Sequence, residues 1–355
     1  MEQTAGECWV VGVDVGGSGL RVGAAPAGRP VDPAAVRTVG SATAARVSAS
    51  AGGQDARALL DRLLPALDAL VAGLPAGARI GTVAVGATGM ALLGRDLAAR
   101  LPGPLARATG ARRLVLAGDA VTAYAGALGT AAGVVVAGGT GLVAIGLRPG
   151  GGWCRADGWG QLLGDCGGGA WIGRAGLEAA LRAQDGRPGG SPVLLAAAER
   201  HYGPVAGLPA ALQPRPDRAA LLAEFTPAVV AAAEEGCPVA AGLLRRAGAE
   251  IAATATAAAT ATGRAEPRLA LTGGLFRFDP LRRATLDALA VRLPAARPRP
   301  PDGPPLLGAL RLAVAASAAV TPGAVSAVAA DFPWPLDPPL LAVLDLPADD
   351  GPWRP

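Results

Sequence analysis

The sequence predicts an α/β protein built on a duplicated plan. β-branched strands ending in glycine alternate with Ala- and Leu-rich stretches at helical spacing. One hairpin pattern also occurs twice, as GGSGLRVG at 16–23 and GGTGLVAIG at 138–146. Each copy follows a valine-rich strand and leads into a second strand, so each half contributes a glycine turn. A third strand, RLALTGGLF at 268–276, again runs into a double glycine.

The elements follow in order. VVGVDV at 10–15 is a strand, 16–19 its turn and LRVGAA its return. Residues 55–72 place Leu59, Leu60, Leu63, Leu67 and Leu70 at helical spacing, with Pro65 as a kink. Residues 80–89 and 112–120 are strands ending in glycine, and the second hairpin covers 134–146. A helix through Leu177 and Leu181 stops at DGRPGG, helices follow over 219–235 and 238–262, and another spans 306–320. This organisation predicts a first domain over 1–118, with helix 306–320 packing back on it. A second domain covers 119–305, and 321–355 form a Pro-rich irregular tail.

Composition narrows the function classes. The 355 residues are 51% hydrophobic, enough for more than one core. Lysine and asparagine do not occur, and the basic residues are all arginine, scattered among Asp and Glu with a net charge of only +4. That pattern excludes a clustered basic face for nucleic acid. Cys8, Cys154, Cys166 and Cys237 lie far apart without CxxC spacing, against a zinc site or a disulfide framework and in favour of a reducing cytoplasm. The N-terminus lacks the pattern of a signal peptide, and the uncharged stretch 312–330 is alanine-rich and broken by Pro322, so no membrane span is expected.

The chemistry centres on the turns. Successive glycines leave amides free to face an anion, and Ser18 and Thr140 each add a hydroxyl. Asp14 ends the strand before the first turn, where a carboxylate beside phosphate calls for Mg²⁺, held through water. A Walker A loop is excluded because lysine is absent, and a dinucleotide fingerprint because strand, not helix, follows the turn. Residues 158–173, GWGQLLGDCGGGAWIG, combine many glycines with Trp159, Trp171 and Asp165, which predicts a backbone that approaches something closely.

These motifs, DVGGSG, then GDA after LVLA, AGGTG, GWGxLLGDxGGGAWIGRAGL and LTGGLF, resemble the BadF/BadG-type ATPase and N-acetylglucosamine kinase family in the same order over about residues 9–320. The family belongs to the sugar kinase, Hsp70 and actin superfamily. The resemblance implies two RNase-H-like (actin-like ATPase) domains flanking a nucleotide and sugar cleft, with ATP and Mg²⁺. It implies Asp14 at the metal and phosphate region, Gly16, Gly17 and Ser18 at the phosphates, and Gly139, Thr140 and Gly141 as the second phosphate loop. Gly273 and Gly274 would face the adenosine. Asp119 would be the general base touching the sugar hydroxyl, and Gly158, Trp159, Gly160 and Asp165 the sugar-binding loop. The implied activity is phosphorylation of a hexosamine-type sugar in the cytoplasm, with a homodimer allowed.

Three positions depart from the family pattern. Where the family reads GDEGS, this chain has Asp165, Cys166, Gly167 and Gly168, and so loses the glutamate. The asparagine expected near the sugar is replaced by a region, 45–56, offering Ser48, Ser50 and Gln54. Leu142 stands where a serine often follows GTG. An inactive or sugar-sensing binding protein of the same fold is the alternative. Cys166 also raises the iron–sulfur activators of 2-hydroxyacyl-CoA dehydratases, which share the fold but use two cysteines per subunit in another context.

Overall fold

The computed structural model describes residues 7–16, 19–42, 49–50, 53–54, 56–318, 332–338 and 340–346. Gly17, Ser18 and Ser48, named above as candidates, lie outside these described residues. The chain forms two units. One comprises Met1–Ala131, Gly150–Trp153 and Pro301–Pro355, the other Ala132–Pro149 and Cys154–Pro300.

The first unit opens with strands β1 (Cys8–Gly16), β2 (Gly19–Pro26) and β3 (Arg37–Ala42), then a minimal pair β4 (Ala49–Ser50) and β5 (Gly53–Gln54). Helix α1 (Ala56–Ala72) leads to β6 (Arg79–Ala87), α2 (Met90–Arg100), α3 (Pro102–Thr109), β7 (Arg113–Gly118) and α4 (Asp119–Leu128). β1 is antiparallel to β2 and parallel to β6, and β6 is parallel to β7. Val10, Val11, Val13 and Val15 are all fully buried. The valines of β1 are therefore covered on both faces, as in a parallel sheet with helices on each side.

The second unit repeats the plan. β8 (Gly133–Gly138), β9 (Leu142–Leu147) and β10 (Trp153–Asp157) precede a helical run of α5 (Gly169–Gln184), α6 (Pro192–Tyr202), α7 (Leu208–Leu212), α8 (Arg218–Ala223), α9 (Thr226–Glu234) and α10 (Pro238–Thr262). β11 (Arg268–Thr272), α11 (Asp279–Arg292) and β12 (Arg297–Arg299) complete it. The predicted helix over 219–235 is in fact two, α8 and α9, because Pro227 in the first turn of α9 lacks the N–H that a continuous helix needs. No single described helix is long and apolar enough to cross a membrane. The α8–α9 segment with α10 meets the test by length and composition only, bent by 119°. Ala247, Ile251, Ala255 and Ala259 of α10 belong to this unit's core.

The chain then returns to the first unit as α12 (Pro305–Ala318) and β13 (Leu341–Asp345). Its sheet runs β13-β7-β6-β1-β2-β3, and that of the second unit β10-β9-β8-β11-β12. Without β13 the two orders are the same: a hairpin whose first strand takes two parallel neighbours on its other side. This is the RNase-H-like arrangement, present twice in one α/β chain.

Two expectations need correction. The second domain does not begin at 119: the first unit extends to Ala131, because α4 packs with α12 against β1, β6 and β7 of the same unit. The tail is not irregular throughout: Leu341–Asp345 pair antiparallel with Ala117–Arg113 of β7. The prolines around this run hid its apolar strand, which covers the open edge of β7.

α12 packs directly on its neighbours because small residues line the contact. A Cβ on Gly12 would meet Leu310, one on Gly126 the Pro304 carbonyl, and one on Gly308 the Thr122 carbonyl. We expect Gly308→Ala to destabilise the protein by about 2–3 kcal/mol through overpacking. Gly28, with open space around it and no positive φ, serves as control: Gly28→Ala should change stability by less than about 0.5 kcal/mol. Urea midpoints for the two variants check the contrast.

Candidate active site

In the first unit the carboxyl ends of the parallel strands β1, β6 and β7 lie side by side, the edge at which α/β sheets present functional groups. Asp14 comes from the end of β1, Thr88 from just beyond β6, and Asp119 from the first residue of α4, directly after β7. The register explains the meeting: Val15 pairs with Ala87, and Ala87 with Gly118. Gly118, not Asp119, is the N-cap of α4. A carboxylate in the first turn complements the positive end of that helix.

Asp14 is buried, 4% exposed, and lies opposite Arg21 in the β1–β2 hairpin. The Arg21 guanidinium donates to its carboxylate at 3.1 Å. Burial pushes the Asp14 pKa up to about 6; Arg21 pulls it down and the charge on Asp119 adds to the rise. Asp119 is only partly covered, yet the protein packed around its carboxyl strips hydration and raises its pKa. Opposing this, Asp119 Oδ2 accepts the Thr88 hydroxyl at 2.8 Å and Oδ1 accepts the Ala120 amide at 2.8 Å.

In the second unit, Gly139, Thr140 and Gly141 join β8 to β9, and Gly273 and Gly274 follow β11 at the same edge of the sheet. Gly273 has φ +102, and a Cβ there would strike the Gly138 carbonyl. Gly139 and Gly274 face open space. The loop after β10 then folds against the first of these turns. The amides of Gly169 and Ala170, opening α5, donate to the carbonyls of Gly139 (2.9 Å) and Thr140 (2.8 Å). Cβ atoms on Gly168 or Gly169 would meet the backbone of Gly141 or Gly139, and one on Gly141 would meet the Asp165 carboxylate. A Cβ on Gly167 would meet Ile251 and the Ala247 carbonyl. Close approach was the correct expectation for the glycine cluster, but at Gly167, Gly168 and Gly169 the partner is the chain itself.

Asp157 organises this loop, and sequence reasoning missed it. Its carboxylate accepts the amides of Asp165 at 2.7 Å and Cys166 at 2.9 Å, while Asp165 accepts the Gly160 amide at 3.1 Å. Asp157 and Asp165 both have positive φ, 60° and 56°. Two non-glycine residues in the left-handed region mark a loop held by its hydrogen bonds. Trp159 stands 70% exposed with the Arg155 guanidinium 4.5 Å from its ring centre. Leu162 and Leu163 are exposed beside it in sequence. Burial, then the neighbouring Asp157, Glu250 and Asp165, push the Cys166 thiol up. Asp157→Ala should speed amide exchange at Asp165 and Cys166 by about 10- to 100-fold, the scale of a hydrogen bond to a charged acceptor. Hydrogen exchange measured residue by residue checks this.

The family model for the BadF/BadG/BcrA/BcrD ATPase family matches residues 11–313. The chain belongs to that ATPase family. A solved structure from Chromobacterium violaceum, provisionally named an N-acetylglucosamine kinase, is 30% identical, with 86% of this chain and 98% of that one covered and a TM-score of 0.65. A second protein with the same provisional name, from Porphyromonas gingivalis, is 18% identical, with 86% and 97% covered and a TM-score of 0.63. A ROK family glucokinase from Streptomyces griseus, solved with glucose and AMPPNP, is 19% identical, with 86% and 99% covered and a TM-score of 0.54. The last two share the fold. No curated protein matches the chain. The ATPase-family match spans Asp14, Asp119, both described glycine turns and the 158–165 loop, and it stops short of β13.

Proposed function

We propose that this ATPase-family chain is an ATP-dependent sugar kinase of the cytoplasm. It transfers the γ-phosphoryl group to a hydroxyl of a hexosamine-type sugar, with Asp119 as general base. The observation that carries the reading is the pair Asp14 and Asp119 on one strand edge, in a chain of this family. The 30% identical relative's provisional name supports the hexosamine class.

Phosphoryl transfer passes through a loose transition state, so the protein contributes mainly position and charge. The sugar oxygen bonds to the γ-phosphorus as the bond to the β-bridging oxygen breaks. ADP leaves with that electron pair, and the sugar proton passes to Asp119. A base whose pKa is raised by burial accepts a proton more readily. Thr88 and Ala120 each fix one of its oxygens. Gly16, Gly17 and Ser18 with Gly139, Thr140 and Gly141 would serve the phosphates, and Gly273 and Gly274 the adenosine. Gly158, Trp159, Gly160 and Asp165 would serve the sugar. Among the described residues no group of three His, Cys, Asp or Glu side chains could hold a metal by itself. Mg²⁺ would bind together with the nucleotide phosphates, with Asp14 the residue that would hold it through water. Bound there, it would neutralise charge on the β- and γ-phosphates.

A coupled ADP-release assay over hexoses, amino sugars and N-acetylated sugars tests the reading. Sugar-stimulated release, strongest with an amino or N-acetylated hexose, supports it. ATP binding with no stimulated release by any sugar supports a binding protein of the same fold instead.

A further inference from the structure

We propose that Thr88 is a positioning residue for Asp119, its hydroxyl holding the base in one orientation both before and after it takes a proton. The inference rests on the kinase reading of Asp119. Thr88 Oγ1 lies 2.8 Å from Asp119 Oδ2 and 3.3 Å from the Val15 carbonyl oxygen. A hydroxyl has one hydrogen, so it cannot donate to both acceptors at once.

The ionised state selects the first contact. A charged acceptor at the shorter distance takes the Thr88 hydrogen, and with the Ala120 amide on Oδ1 both carboxylate oxygens are held. The protonated state selects the second. When the sugar proton has moved to Oδ2, Asp119 becomes a donor there, and Thr88 Oγ1 becomes its acceptor. Thr88 then turns its own hydrogen onto the Val15 carbonyl. Two O–H bonds turn, the new one on Oδ2 toward Thr88 Oγ1 and that of Thr88 toward the Val15 carbonyl. The transferred proton later leaves to water, and Thr88 turns back.

Val15 suits this role because its backbone is held in the sheet. Its carbonyl already accepts the Thr88 amide at 3.2 Å, and the residue is paired on both sides, with Leu20 of β2 and Ala87 of β6. Thr88 is thereby tied to the end of the strand that carries Asp14. It is itself exposed, so replacing it empties no core.

The test measures kcat and KM for sugar-dependent ADP release in the wild type, Thr88→Val, Thr88→Ser and Asp119→Asn, and in Asp119→Asn combined with Thr88→Val. Thr88→Val should lower kcat about tenfold or more, the scale of one hydrogen bond to a charged group, with the ATP KM within about twofold. Thr88→Ser should restore kcat to within about threefold of wild type, and Thr88→Val should add nothing in the Asp119→Asn background. A Thr88→Ser variant as slow as Thr88→Val, or an equal loss with and without the Asp119 carboxylate, overturns the proposal while leaving the kinase reading standing. A wild-type protein that releases no ADP with any sugar removes the kinase reading and this inference together.

Discussion

Asp119→Asn is expected to lower sugar-dependent ADP release by about 10² or more, the scale of a lost general base, while the fold and ATP affinity persist. The substitution isolates proton uptake from architecture. An asparagine can turn its carbonyl oxygen to the Ala120 amide and its amino group to Thr88 Oγ1, which then has the Val15 carbonyl as acceptor. No buried group loses its partner, so the variant should unfold at the wild-type urea midpoint. Single-turnover rates at saturating ATP and sugar give the clean comparison. Turnover equal to wild type would leave Asp119 as a first-turn residue of α4 and nothing more.

Trp334→Ala should destabilise the protein by about 3–5 kcal/mol, the range for emptying a buried tryptophan site. The side chain is 5% exposed, its ring lies 5.7 Å from Phe332, and its indole N–H donates at 3.1 Å to the Gly129 carbonyl just past α4. Gly129 has φ +59, so the chain turns there on a glycine that the indole satisfies. Trp334→Phe keeps most of the apolar contact and loses the N–H, so it should recover all but about 1 kcal/mol. Urea denaturation followed by circular dichroism measures both. If Trp334→Ala unfolds at the wild-type midpoint, the segment before β13 does not support the first unit.

Much of this was legible because the strongest signals are local. Alternating valines with a following glycine turn marked β1, and the repeat of that hairpin announced the duplicated sheet order. Leucine spacing gave α1 to within one residue of its start. What failed was set by distant partners. β13 is a strand because β7 has an open edge more than two hundred positions earlier, which no local window contains. The α8–α9 break turned on one proline in an alanine-rich run.

The same holds at the candidate site. Asp14 stood out as a carboxylate beside a glycine turn, whereas Asp119 entered only through the family resemblance. Thr88, Arg21 and Asp157 did not stand out, because each acquires its partner through register or loop closure. Arg21 was readable in principle: a hairpin that pairs Gly16 with Gly19 sets it opposite Asp14. Asp157 precedes the GWG motif and gave no signal of its own.

The first unit is assembled from stretches on either side of the second, with α12 and β13 arriving after the whole of the latter. During translation, therefore, the later-encoded unit has all its residues first. The earlier one must wait on the ribosome with the edge of β7 unpaired and the Gly12 face of β1 bare until residues 305–345 have been read.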